Sequence, residues 1–494
     1  MPGREGPPAR VLAPAALTAV LVLAAAAAGI GMRATYGAQL TADEPQYLLS
    51  ALSLVDDGDL DIADELAAQR WREFHAADLP EQTALRPDGS RLSPHNPLLP
   101  LLLAGPVALG TALAVPAWVS AKAALALVAA ILAGLTVWTA GRRLGVPPRT
   151  AAVVVTVFGA SPPLSVYATQ LYPELMAALA VTAAVAALTG PRTGWGTAAV
   201  AVIAVVALPW LAVKYAAVAA VLAAWALWRL RGRRAVAAGA GVALAAAGAG
   251  YLAFNRVVYG GWTPYAAGDF FVGGELTAVG PDPDYGARTQ RLLGLLVDRE
   301  FGLVPWQPAW LLLPVVLGAL TVAAGRWRTG AATGWLLGTL AAGWATATWV
   351  AQTMHGWWWP GRQLVVVLPV AVLLVAAWAA GGARRTWPVA VLGVLGIGAH
   401  VVLVAGTTGS PPDRTLVVDF ATTPWPPYEA LRALSPALMT PTGWTAWSFA
   451  AWAAAVVGLV VLGRVTARLA GRHPPQRDRL PPPASRRRAA DARG

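Results

Sequence analysis

Apolar stretches of about 20 residues recur along this chain, and each is long enough to cross the ~30 Å hydrocarbon core of a bilayer. Water is absent there, so such stretches fold as helices that satisfy their own backbone N–H and C=O groups. About twelve are predicted, near residues 11–31, 117–140, 150–168, 174–190, 195–213, 215–228, 235–255, 303–325, 331–350, 363–381, 387–406 and 446–464. The stretch 97–115 is also apolar, but Pro97, Pro100, Pro106 and Pro116 punctuate it. It is read as an interfacial or re-entrant helix. The expected fold is an all-α polytopic membrane protein. Only 13% of the 494 residues are charged, against about a quarter in soluble domains, which excludes an ordinary soluble protein. Cysteine is absent, which removes a disulfide framework and any thiolate metal site.

A net charge of +12 would point to nucleic acid in a soluble chain; here it asks which side of a membrane each charge occupies. With a cytoplasmic N-terminus and twelve spans, Arg4, Arg10, Arg142 to Arg149, Arg192, Arg229 to Arg234, Arg326, Arg328, Arg384, Arg385 and the tail from Arg464 share one face. That face holds 23 basic and three acidic residues, and the other 13 basic and 22 acidic, with Lys122 inside a span. Positively charged loops face the cytoplasm, so both termini are placed there, in a plasma membrane. Counting 97–115 as a span would destroy the separation. The first apolar run, 11–30, reads as a signal anchor rather than a cleaved signal peptide. Residues 1–465 form the membrane unit, and 466–494, with Pro481 to Pro483 and Arg486 to Arg488, a disordered basic cytoplasmic tail. Three extracytoplasmic segments are long enough for chemistry: 32–116, with juxtamembrane helices, 256–302 and 407–445.

The first of these carries twelve of the 25 acidic residues and two of the five histidines. It opens with Thr41-Ala42-Asp43-Glu44-Pro45-Gln46-Tyr47-Leu48 and continues through Asp56-Asp57-Gly58-Asp59-Leu60-Asp61 to Ser93-Pro94-His95-Asn96-Pro97. Asp43 and Glu44 are suited to cap the helix that follows, since acids favour helix N-termini. Fixed beside a span, they are equally suited to deprotonate a hydroxyl or to hold a divalent ion. His75 and His95 are twenty residues apart, which is not ligand spacing; His400 falls in a span and His473 in the tail. No phosphate-binding or dinucleotide-binding glycine loop stands between a strand and a helix.

An Asp-Glu pair just after the first span, an acidic loop and a His-x-Pro element leading into an apolar helix resemble the glycosyltransferase-C superfamily. The nearest branches are the protein O-mannosyltransferases and the lipid A aminoarabinose transferases. The latter carry Glu-Lys-Pro where this chain has His95-Asn96-Pro97, which favours the mannosyltransferase-like pattern. The resemblance implies transfer of a sugar from a polyprenyl-phosphate donor to a glycan, lipid or protein acceptor at the extracytoplasmic face, with Asp43 as catalytic carboxylate and Glu44 as its companion. Met354-His355-Gly356-Trp357-Trp358-Trp359-Pro360-Gly361-Arg362 resembles the Gly-Arg element of bacterial members. Arg362 then meets the donor phosphate through its forked donors, unless it only snorkels in an aromatic belt. Lys122 and Lys214, the only lysines, stand at outer span ends and are further phosphate candidates. Tyr172-Pro173-Glu174 resembles a Tyr-Pro-Glu of the same superfamily, and also makes a good helix start. Asp298-Arg299-Glu300-Phe301-Gly302-Leu303 resembles a further recurring segment. His95, Tyr172, Glu174 and His355 complete the candidates. A divalent ion at Asp43 stays open, no other cofactor is called for, and the expected partners are donor, acceptor and membrane lipids, with no nucleic acid.

A secondary transporter or flippase for lipid-linked sugars is the competing class, since it too has about twelve spans. Transporters place functional charges near the midplane. Here the charges collect at one face beside a long loop, which suits surface chemistry. A non-catalytic scaffold leaves the layout of Asp43, Glu44 and Arg362 unexplained. Arginine in place of lysine, with the alanine load, suggests a GC-rich bacterial genome and a decaprenyl-phosphate carrier.

Overall fold

The segment from Arg362 to Ala379 is apolar on every side below its first two residues, which suits a helix to a protein interior or to a membrane span. In the structure, a computed structural model, it is the innermost helix. It is enclosed by Ala117–Arg142, Pro148–Gly159, Glu174–Leu188, Leu312–Ala323, Gly330–Ala345 and Ala383–Thr407. Residues 9–272, 280, 282–323 and 330–472 are described; Arg4, Arg326, Arg328, His473, Pro481 to Pro483 and Arg486 to Arg488 lie outside them.

Among the described residues the chain is all-helical, with isolated backbone bridges and no strand. Of the described helices, seven are long and apolar enough to cross a membrane: Arg10–Ala28, Ala117–Arg142, Val213–Leu230, Arg234–Val258, Arg362–Ala379, Ala383–Thr407 and Thr445–Ala470. The other five expected spans fall on shorter helices, for reasons visible in the sequence. The run 150–168 stops at Gly159, turns through Pro162 and Pro163, and resumes as Leu164–Tyr167. The run 303–325 is divided by Pro305 and Pro308, each lacking a backbone N–H. Buried Gln307 bridges this break, donating to the carbonyls of Val157 (2.9 Å) and Gly393 (3.2 Å).

The first loop contains the helices Glu44–Asp56, Ala63–Ala67 and Leu98–Ala112. The last has 15 residues, about 22 Å at 1.5 Å per residue, and packs against Glu44–Asp56 and Ala117–Arg142. The final helix, Thr445–Arg472, corrects the tail boundary: 466–472 are helical, because the apolar periodicity of the last span runs on past Arg464. That helix lies against Leu312–Ala323 backbone to backbone. A methyl group at Gly318 would collide with the Val460 carbonyl oxygen, and one at Gly463 with that of Val315. Small residues let helices approach this closely in lipid. The outer helices expose Ile203, Val242, Val257 and Val457, while Trp195, Trp387, Trp444 and Trp447 stand exposed near helix ends. Tryptophans prefer such interfaces.

Candidate functional site

Asp43 begins the helix Glu44–Asp56, directly after Ala42, which adopts a left-handed φ of 52°. A non-glycine residue held there costs of order 1 kcal/mol and persists only where its surroundings impose it. Gln82 Nε2 donates to the Ala42 carbonyl at 2.9 Å and holds the turn. The Asp43 carboxylate makes no capping hydrogen bond, so the helix-cap reading does not hold for it. Successive helical residues point about 100° apart, and the pair accordingly divides. Glu44 turns inward and is almost fully buried, accepting the N–H of Thr41 (3.1 Å) and of Leu171 (2.8 Å). It thereby ties the first loop to the turn before Glu174.

Asp43 turns toward Arg362, 319 residues further on, and accepts from Nη2 at 2.9 Å. Gly361, at φ 81°, makes the turn that lets Arg362 open the central helix. The guanidinium lies 3.8 Å over the Tyr172 ring, with Trp358 at 4.9 Å, and its Nε donates to Glu174 Oε1 at 2.8 Å. Glu174 is completely buried at the first residue of its helix, where exposed backbone N–H groups favour an acid. The same oxygen accepts from Lys214 Nζ at 2.8 Å, and Lys214 also donates to Gln363 Oε1 at 3.1 Å. Lys214 reaches this point because the helix ending at Leu211 breaks at extended Ala212 into the short turn Val213–Tyr215.

Asp43, Lys214, Trp358, Arg362 and Gln363 line a cavity of about 420 Å³, together with His95, Tyr47 and Tyr259, while Tyr172 and Glu174 stand behind them. The His95 side chain is nine-tenths buried, with its ring 5.0 Å from that of Tyr47 and its Nε2 3.9 Å from Asp43 Oδ1. Asn96 anchors this stretch by donating to the Pro209 carbonyl (3.2 Å) and to the Tyr251 hydroxyl (3.0 Å). Burial alone would raise the Asp43 carboxyl, but Arg362, His95 and Lys214 together hold it below its ordinary value. Burial pushes Glu44 up to about 7 against the pull of Lys122 and its two N–H donors. Burial also pushes His95 below the usual histidine value, with Asp43 opposing.

The structure therefore brings Asp43, His95, Tyr172, Glu174, Lys214 and Arg362 together and leaves three candidates elsewhere. Glu44 backs the site instead of facing the cavity. Lys122 is buried, and its Nζ donates to the carbonyls of Met32 (3.1 Å) and Gln39 (3.0 Å), bracing the start of the first loop rather than meeting a phosphate. His355 lines a separate cavity, 4.0 Å from Asp298. Asp298 itself accepts N–H groups of Glu300, Phe301 and Leu438, and so organises its own loop. For a divalent ion, Asp43 and His95 offer two donor atoms while Arg362 holds the other Asp43 oxygen, which does not make a metal cage. The described cluster of Asp57, Asp64 and Glu65 stands away from the cavity. Sequence reading missed Tyr47, Gln82, Tyr259 and Gln363. Tyr47 alone carried a signal, lying one helical turn after Asp43. Comparison with protein-family models and with curated proteins gives no match.

Proposed function

We propose that the protein is a membrane glycosyltransferase that moves a sugar from a polyprenyl-phosphate donor to an acceptor hydroxyl at the extracytoplasmic face. The observation that carries this reading is the meeting, on one cavity wall, of a part-exposed carboxylate with a guanidinium and an ammonium drawn from distant segments. Asp43 takes the acceptor proton as the acceptor oxygen bonds to the anomeric carbon. The bond from that carbon to the phosphate oxygen breaks, and its electron pair leaves with the polyprenyl phosphate. Arg362 and Lys214 meet the departing charge, where preorganised donors have their largest effect. An arginine carries five N–H donors and a lysine three, so both retain donors for phosphate beyond those given to Asp43, Glu174 and Gln363. The acceptor is a hydroxyl on a glycan, lipid or protein.

Incubating the purified protein with a panel of polyprenyl-phosphate sugars is expected to release polyprenyl phosphate and glycosylate an acceptor. Movement of the intact donor across vesicles with no release of polyprenyl phosphate would instead assign the chain to the flippase class.

The arrangement of spans belongs to the same proposal: twelve crossings of the plasma membrane, both termini cytoplasmic, and the loop 32–116 outside. Its support is the separation of charge, with the Arg229 to Arg234 turn on one side and the acidic loop on the other. Since the chain has no cysteine, Ser90→Cys and Gly232→Cys give clean single labels. An impermeant thiol reagent on intact cells is expected to label the first and spare the second; labelling of both would overturn the topology.

A further inference from the structure

Asp43 and Arg362 occupy each other. A carboxylate that accepts a guanidinium hydrogen bond is a poor base, and a guanidinium given to a carboxylate has fewer donors for a phosphate. Beside the pair, His95 Nε2 is buried with no hydrogen-bond partner, 3.9 Å from the Asp43 oxygen that Arg362 does not hold. That distance is just beyond a hydrogen bond. Buried polar atoms in folded proteins nearly always have partners, so an orphan on a cavity wall calls for an explanation. Two further features bear on it. Glu174 holds Arg362 through Nε, independently of Nη2, so the guanidinium keeps its place when Asp43 lets go. The imidazole is nine-tenths buried against the Tyr47 ring, while the Asp43 side chain is a quarter exposed on the cavity wall.

We propose, on the donor-dependent reading above, that the donor phosphate takes the place of Asp43 on Arg362 and that His95 receives the released carboxylate. His95 is then a positioning residue: its Nε2–H donates to Asp43 Oδ1 and leaves Oδ2 directed at the acceptor hydroxyl. Asp43 exchanges one partner for another as the donor enters, and becomes an effective base only once the donor is in place.

His95→Phe keeps an aromatic ring on Tyr47 and removes the donor atom. It is expected to lower kcat for sugar transfer by up to about 10²-fold, the cost of a misplaced reacting group, and to raise the donor KM, because the carboxylate that the phosphate displaces has lost its new partner. His95→Gln loses the ring but carries an N–H donor at similar reach, and is expected to recover much of the rate. Added to Asp43→Asn, His95→Phe is expected to cost nothing further, because the carboxylate it positions is gone. If His95→Phe lowers the melting temperature, the glutamine variant and the double variant still decide: activity must follow the donor atom and not the ring. A phenylalanine variant as fast as wild type, or one whose cost persists in full on the Asp43→Asn background, would overturn this role and leave the glycosyltransferase reading standing. A wild-type protein that releases no polyprenyl phosphate from any donor would remove both.

Discussion

Asp43→Asn is expected to slow sugar transfer by about 10²- to 10⁴-fold, the usual contribution of a positioned general base. Asparagine matches aspartate in size but cannot take the acceptor proton. The protein is expected to insert and fold, because the carboxylate caps nothing, Glu44 still ties the loop to Leu171, and Arg362 keeps its bond to Glu174. Donor binding is expected to hold or tighten, since the variant removes the carboxylate that competes for Arg362. Turnover, donor affinity and melting temperature measured on one preparation separate these effects. An asparagine variant that transfers sugar at the wild-type rate would remove Asp43 from the chemistry.

Arg362→Ala is expected to act on stability and function together. Arg362 lies between Asp43 and Glu174, and its loss strips the fully buried Glu174 of one of its two cations. Removing one partner of a buried ion pair typically costs about 3–5 kcal/mol, so a clear fall in melting temperature should accompany the loss of donor use. Arg362→Lys keeps the charge but not the fork, and a single ammonium cannot reproduce the Nε and Nη2 bonds. Recovery of stability is therefore expected to exceed recovery of donor affinity. An alanine variant with unchanged melting temperature and donor affinity would reduce Arg362 to an interfacial anchor.

The sequence exposes some of this arrangement and conceals the rest for identifiable reasons. The apolar runs announce helices in a bilayer, and the innermost helix is apolar all round, as are others nearer the lipid. Prolines 162, 163, 305 and 308 also announce where long runs break, although hydropathy averaged over a window passes across them. Asp43, Glu174, Lys214 and Arg362 stand out as charges at the ends of apolar segments. Their convergence is invisible, because contacts between residues 40 to 319 positions apart leave no trace in local spacing. The different fates of Asp43 and Glu44 follow from helix rotation but need the turn at Ala42 to decide which faces the cavity. Lys122 and Lys214 look alike as lone lysines at span ends, and only packing sends one to loop carbonyls and the other to Glu174. Gln82 and Gln363 are ordinary polar residues until the fold gives them a backbone turn and an ammonium to hold.

The close seam between Leu312–Ala323 and Thr445–Arg472 has a consequence for how freely this part of the chain can change. In hydrocarbon, apolar side chains gain nothing by leaving lipid for protein, so the outer flank of the last helix is held to little beyond being oily. Along the line through Gly463, by contrast, one methyl group is too many, and the facing line through Gly318 is equally strict. The last helix thus joins a nearly unconstrained surface to a narrow strip of steric intolerance, and its place in the fold is specified by what those two positions lack.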